Sequence, residues 1–296
     1  MSGALVLKKL AIGVLAWAAL PLVGHASILE GSASPESVLR YGDDLLVANV
    51  GAKLEPTAKD GNGFIGRFQQ GKVLEKDIFA GKVMLNAPKG MGIYKDVLYV
   101  ADIDRIVGID LKAKQQVLEL SFAEQGAGFL NDVVITDAGV LYISATDKGA
   151  IYSVDLAKGD AKPAIAKLPI APLPGPNGLF FDAQKQRLIV ASFGVNKTPG
   201  ELGIVDLRNN SYSVVPGVHG LFDGVSLLNE QTLLTSDWGK FERGAGELKQ
   251  VDLVSGKVTV VRQGLSGPAD FVMLGEGEYA LPNMMDGSIV VENLKH

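Results

Sequence analysis

Glu36, Asn131, Asn177 and Asp223 occupy the same place in a short pattern that recurs along the chain. Two carboxylates and two amides are oxygen donors that suit a hard cation. Calcium takes six to eight oxygens and accepts both kinds together. Two formal negative charges balance a divalent ion. The chain has no cysteine and only 3 histidines, which disfavours softer metals. Such a cation can act as a Lewis acid on a carbonyl oxygen.

The six copies of the pattern are Pro35-Glu36-Ser37-Val38, Pro88-Lys89-Gly90-Met91, Leu130-Asn131-Asp132-Val133, Pro176-Asn177-Gly178-Leu179, Phe222-Asp223-Gly224-Val225 and Pro268-Ala269-Asp270-Phe271. Each reads apolar or Pro, variable, small or acidic, apolar. Second positions are separated by 53, 42, 46, 46 and 46 residues. A period of about 40–50 residues marks a propeller or a solenoid. Asn and Asp at strand starts are also common turn formers, but turn chemistry does not place four oxygen donors at one phase of a repeat.

The residues between copies follow one plan. In the third copy, runs at 133–135, 140–144 and 150–156 read as strands separated by Asp137-Ala138-Gly139 and Asp147-Lys148-Gly149 turns. A Val/Ile-Asp-Leu ending closes the third run at 109–111, 154–156, 205–207 and 251–253. Three strands and a more polar fourth form a propeller blade. The expectation is an all-β, six-bladed β-propeller whose central channel is lined by the second motif residues. A strand near Ile28-Leu29 is expected to close the ring against the last blade. The longer first step leaves room for a loop, Gly51 to Gly63, over one face of the ring. Gly194 to Gly200 reads as a turn-rich connection.

The first 26 residues read as a secretory signal peptide. Lys8 and Lys9 precede an apolar run from Leu10 to Val23, and Gly24-His25-Ala26 forms a small-residue cleavage site. An uncleaved anchor is the competing reading, although the run is short for a full span. The expected mature protein is therefore 27–296, one domain, periplasmic or secreted, with no membrane attachment after cleavage. A net charge of -5 with scattered Lys and Arg offers nucleic acid no basic footprint.

The motif residues, their blade order and the leader resemble the senescence marker protein-30 / gluconolactonase family of six-bladed propellers and its paraoxonase-like and strictosidine-synthase-like relatives, over roughly residues 34 to 291. The resemblance implies a catalytic calcium ion, or another divalent cation, held by Glu36, Asn131, Asn177 and Asp223. It also implies Asp223 as the base in hydrolysis of a lactone or related ester. Lactonase members place Pro and an aromatic residue after the first Glu. Here Pro35 precedes Glu36 and Val38 follows, as in the strictosidine-synthase-like branch.

Four further residues are candidates for substrate contact or for an outer layer around the ligands: Lys89, Asp132, His219 and Asp270. Lys89 shares the axial phase. Its ammonium either reaches the rim and orients an anionic substrate or fills the cation's place. His219 lies four residues before Asp223, but nothing in the sequence pairs with it, and a loop histidine without a role is the plainer reading. Phe193 and Trp238 follow second strands and either wall the pocket or belong to the core. The competing function is a non-catalytic periplasmic propeller that binds a small molecule or a protein partner.

Overall fold

The computed structural model describes residues 27–69, 72–275 and 277–294. The leader and His296 lie outside them. Six antiparallel sheets stand around an axis. Blade one runs outward from Pro35–Tyr41 through Asp44–Asn49 and Phe64–Gln69 to Lys72–Glu75. Blade two consists of Pro88–Tyr94, Val97–Asp102, Arg105–Asp110 and Gln115–Ser121. Blade three begins at Leu130–Ile135, blade four at Pro176–Asp182 and blade five at Phe222–Leu227. The inner strand of blade six is Val272–Gly275.

The expected closure is present. Ser27–Glu30 pairs antiparallel with Ser288–Asn293 and becomes the outer strand of blade six, with Leu29 opposite Ile289. Leu29 packs with Val38, Val47 and Phe68 of blade one and Ala280 and Ile289 of blade six. One four-residue strand thus ties the start of the described chain to its end.

Blades pack face to face, so both faces of each middle strand are covered. In blade two, Leu98 and Val100 pack on blade one, while Tyr99 and Ala101 pack on blade three. This explains the near-continuous apolar runs that replace a simple alternation. A fully buried leucine such as Leu98 is worth about 2–5 kcal/mol relative to alanine. The fourth strands are more exposed, as the polar fourth runs predicted.

The recurring Val/Ile-Asp-Leu ending has a local cause. Asp110, Asp155, Asp206 and Asp252 end third strands and accept hydrogen bonds from main-chain N–H groups two or three residues on. Each carboxylate builds the turn that stops its strand. The 194–200 segment forms a small hairpin, with Gly194–Val195 paired to Thr198–Pro199 and Asn196 and Lys197 at positive φ. Among the described residues the one helical piece is a 3-10 turn, Thr146–Lys148.

Candidate metal centre

The inner strands of blades one to five each carry a register shift at the motif: Pro35/Ser37, Pro88/Met91, Leu130/Val133, Pro176/Leu179 and Phe222/Val225. A bulge re-aims a side chain by breaking the ladder locally. Here it brings the second motif residues of these blades into one cavity. Glu36, Lys89, Asn131, Asn177 and Asp223 are all buried and all line a cavity of about 280 Å³ on the axis. Ala269, the sixth member, is buried without lining it.

The third motif position holds the ring together. Ser37 donates to the Lys89 carbonyl at 2.8 Å. Asp132 accepts from the main-chain N–H of Leu179 at 2.7 Å. Gly178 stands so close to blade five that a Cβ there would lie 2.1 Å from the Asp223 carbonyl oxygen. A Cβ on Gly90 would meet Asp132, and one on Gly224 would meet Asp270. Asp270 donates its N–H to the Glu36 carbonyl at 3.0 Å and closes the circle. The small-or-acidic rule is thus a packing rule, since this residue must fit against, or bond to, the motif of the next blade. Two serines reinforce it. Ser144 accepts from Asp132 N–H and donates to the Asn177 carbonyl. Ser236 accepts from Gly224 N–H and donates to the Ala269 carbonyl.

Three oxygens at the floor of the cavity are left over. Glu36 Oε2, Asn177 Oδ1 and Asp223 Oδ1 are buried and have no hydrogen-bond partner among the described residues. An unpartnered buried polar atom is costly, at about 1–3 kcal/mol and more when charged. The second oxygen of Asp223 accepts from Trp238 Nε1–H at 3.0 Å. Burial, then the charge of Asp223, pushes Glu36 well above the usual carboxylate range, with Lys89 pulling the other way. Burial, with the Asp132 charge behind it, raises Asp223 to about 7 against the pull of the Trp238 and Asn177 side chains. Among the described residues no three His, Cys, Asp or Glu side chains form a ligand group by themselves. A cation would therefore need the amide oxygens of Asn131 and Asn177 as well as Glu36 and Asp223. Orphaned carboxylate and amide oxygens fit calcium, which accepts that mixture.

Lys89 takes neither of its two expected places. Its side chain is buried, and Nζ donates to the carbonyls of Pro56 (2.7 Å) and Ala87 (2.9 Å) while lying 5.1 Å from the centre of the Phe129 ring. Its hydrogen bonds thus go to main-chain oxygens and leave Glu36 Oε2 and Asp223 Oδ1 unsatisfied. Burial lowers its pKa to about 8, while Glu36 and Asp102 oppose the fall. Pro56 belongs to the loop after blade one's second strand, so the 51–63 segment does reach over the ring face, where Leu54 and Pro56 line the cavity.

The remaining candidates lie elsewhere. Asp132 and Asp270 line a separate cavity of about 500 Å³ at the other mouth of the channel. Both Asp132 oxygens are engaged by main-chain N–H groups, those of Val133 and Leu179. Burial still raises it to about 7, and burial with the Asp132, Glu36 and Asp223 charges raises Asp270 well above its usual range. His219 is exposed on the outer strand of blade four, opposite Glu201, and does not line the cavity. Strand pairing carries it outward although it is close to Asp223 in sequence.

The cavity wall contains residues that the motif did not reveal. The residue just after each second strand faces inward: Val50, Ile103, Thr146, Phe193, Trp238 and Met284. Four of them line the cavity, and Val50 and Ile103 share a core cluster with Trp238 and Met284. They form an apolar collar above the oxygen floor. Phe193, Trp238 and Phe241 pack together with ring centres 5.2 to 5.8 Å apart. The side chains one residue earlier hold the motif in place. Asn49, Asp102, Asp237 and Asn283 accept main-chain hydrogen bonds from residues 33, 87, 221 and 266, just ahead of the motifs of their own blades.

No family model matches the chain, and no curated protein matches it in sequence. Solved structures do resemble it. Hydrazine synthase from Kuenenia stuttgartiensis is similar at a TM-score of 0.62 and 12% identity, over 95% of this chain and 80% of that one. Virginiamycin B lyase from Staphylococcus aureus is similar at a TM-score of 0.60 and 12% identity, over 92% of this chain and 100% of that one. Likeness at this identity establishes a shared architecture, and the chain is a six-bladed β-propeller.

Proposed function

We propose that the protein is a divalent-cation-dependent hydrolase acting on a lactone or related ester, with calcium as its cation, and that it is exported and works in the periplasm or outside the cell. The observation that carries this reading is the set of three buried, unpartnered oxygens on Glu36, Asn177 and Asp223. Glu36, Asn131, Asn177 and Asp223 would hold the ion, and the chemistry it supplies when bound is Lewis acidity toward a carbonyl oxygen.

The chain's own residues account for the rest. Trp238 fixes one oxygen of Asp223 and leaves the other facing the cavity. In the proposed reaction the oxygen of a water molecule bonds to the acyl carbon while Asp223 takes its proton. The acyl–oxygen bond breaks, and the proton passes to the departing alkoxide, giving a hydroxy acid from a lactone or an acid and an alcohol from an ester. The apolar collar limits bulk water around the reacting carbonyl.

A non-catalytic binding propeller is the second reading, and buried Lys89 is the observation in its favour. Against it, Nζ is occupied by the Pro56 and Ala87 carbonyls. Turnover of a panel of lactones and aryl esters after chelation, with and without added calcium, separates the two. Hydrolysis restored by calcium in the wild type and absent in Asp223→Asn is expected. Turnover indifferent to chelation would overturn the cation-dependent reading, and no turnover of any panel member would favour the binding protein.

A further inference from the structure

The wall of the cavity limits what it can hold. Leu54, Phe129, Phe193, Trp238, Phe241 and Met284 surround the space above the oxygen floor. The polar groups on that wall are already used: the Trp238 N–H goes to Asp223, and Thr146 Oγ1 donates to the Pro176 carbonyl. A polyhydroxylated substrate would bury hydroxyls there without partners, which is costly for each one. Phe241 is 66% exposed at the mouth and packs against Phe193 and Trp238, leaving an aromatic surface for a ligand to cover.

One charged group breaks the apolar wall. Lys89 comes from blade two, across the ring from Asp223 and Trp238 in blade five. An ammonium has three donors, and two are taken by Pro56 and Ala87. With a divalent cation bound, Glu36 and Asp223 are balanced and the Lys89 charge is left over. A cavity of about 280 Å³ exceeds the roughly 150 Å³ that takes a benzene ring.

We propose that the site selects a substrate with a flat apolar or aromatic body and one negatively charged group, the body against Phe193, Trp238 and Phe241 and the anion at Lys89 Nζ. This rests on the hydrolase reading for the scissile bond, but the ligand class follows from the wall and Lys89. An aryl ester or lactone bearing a carboxylate belongs to this class, and a sugar lactone does not.

The test is calorimetric binding of three probes to the calcium-loaded protein: benzoate, benzyl alcohol and gluconate. Benzoate is expected to bind about tenfold or more tightly than either of the others. In Lys89→Met its advantage over benzyl alcohol should vanish, which distinguishes Lys89 from the cation as the group that reads the carboxylate. Phe241→Ala, at an exposed position outside the ligand set, should weaken benzoate and benzyl alcohol together and leave gluconate unchanged. Gluconate binding as well as benzoate, or an undiminished benzoate preference in Lys89→Met, would overturn the proposal. Should Lys89→Met fail to fold, equal benzoate affinity in wild type and Phe241→Ala would still overturn it. Benzoate binding as expected with no ester hydrolysed would support the ligand class and count against the hydrolase reading alone.

Discussion

Trp238 donates its indole N–H to Asp223 at 3.0 Å, and the two residues come from one blade, Trp238 just after its second strand and Asp223 near the start of its first. The bond fixes which carboxylate oxygen faces the cavity. Trp238→Phe keeps an aromatic ring in the collar but removes the donor. A hydrogen bond to a charged group is worth about 1.5–3 kcal/mol. Calcium affinity should therefore fall by roughly 10- to 100-fold, with near-native far-UV circular dichroism. Calorimetry on the variant checks this.

The carboxylates around the axis predict an inverted pH dependence in the cation-free protein. Asp132 and Asp223 are raised to about 7, and Glu36 and Asp270 are also raised. Groups whose pKa is higher in the folded state contribute stability that is complete below the unfolded value near 4 and is lost as pH rises through 7. The chelated protein should be less stable at pH 8 than at pH 5, by several kcal/mol. Saturating calcium should remove most of that loss. Melting curves across this range with and without chelator decide the point.

Gly178 tests the packing rule of the motif. An alanine Cβ would lie 2.1 Å from the Asp223 carbonyl oxygen, a main-chain atom that cannot swing aside. Gly178→Ala should cost about 1–3 kcal/mol or more and should weaken calcium binding as well, because the displaced strand carries Asp223. A denaturant midpoint and a calcium titration on the same sample read both effects.

The closing strand predicts a global effect from a small deletion. Removing 27–30 exposes the outer edge of blade six and empties the Leu29 site between blades six and one. The melting temperature should drop by several degrees, with Leu29→Ala alone accounting for about 2–3 kcal/mol. A deletion that melted like the intact chain would show that the ring does not depend on this strand.

The architecture was legible because one structural demand repeats. In blades one to five the second motif residue sits on a bulge facing the axis, and in all six the third touches the next blade, so the copies preserve one phase. The Asp of Val/Ile-Asp-Leu was visible because its turn is local. Of the collar only Phe193 and Trp238 were legible, as pocket wall or core, although Val50, Ile103, Thr146 and Met284 recur with them at nearly the same period. Their side chains share no chemistry, only a place after the second strand. Neither reading of Lys89 foresaw its partner, the Pro56 carbonyl, which lies on an aperiodic loop and is a main-chain atom that no residue type announces. His219 stays outside the cavity because nearness in sequence to Asp223 does not survive the turn between an outer strand and the next inner one.

The central claim is that the orphaned oxygens on the axis hold a divalent cation. Calcium titration by calorimetry on residues 27–296 after chelator treatment tests it most directly. The account predicts one site per chain, abolished in Asp223→Asn and retained in Phe241→Ala. An absence of binding heat, together with no bound metal by elemental analysis of the untreated protein, would contradict it.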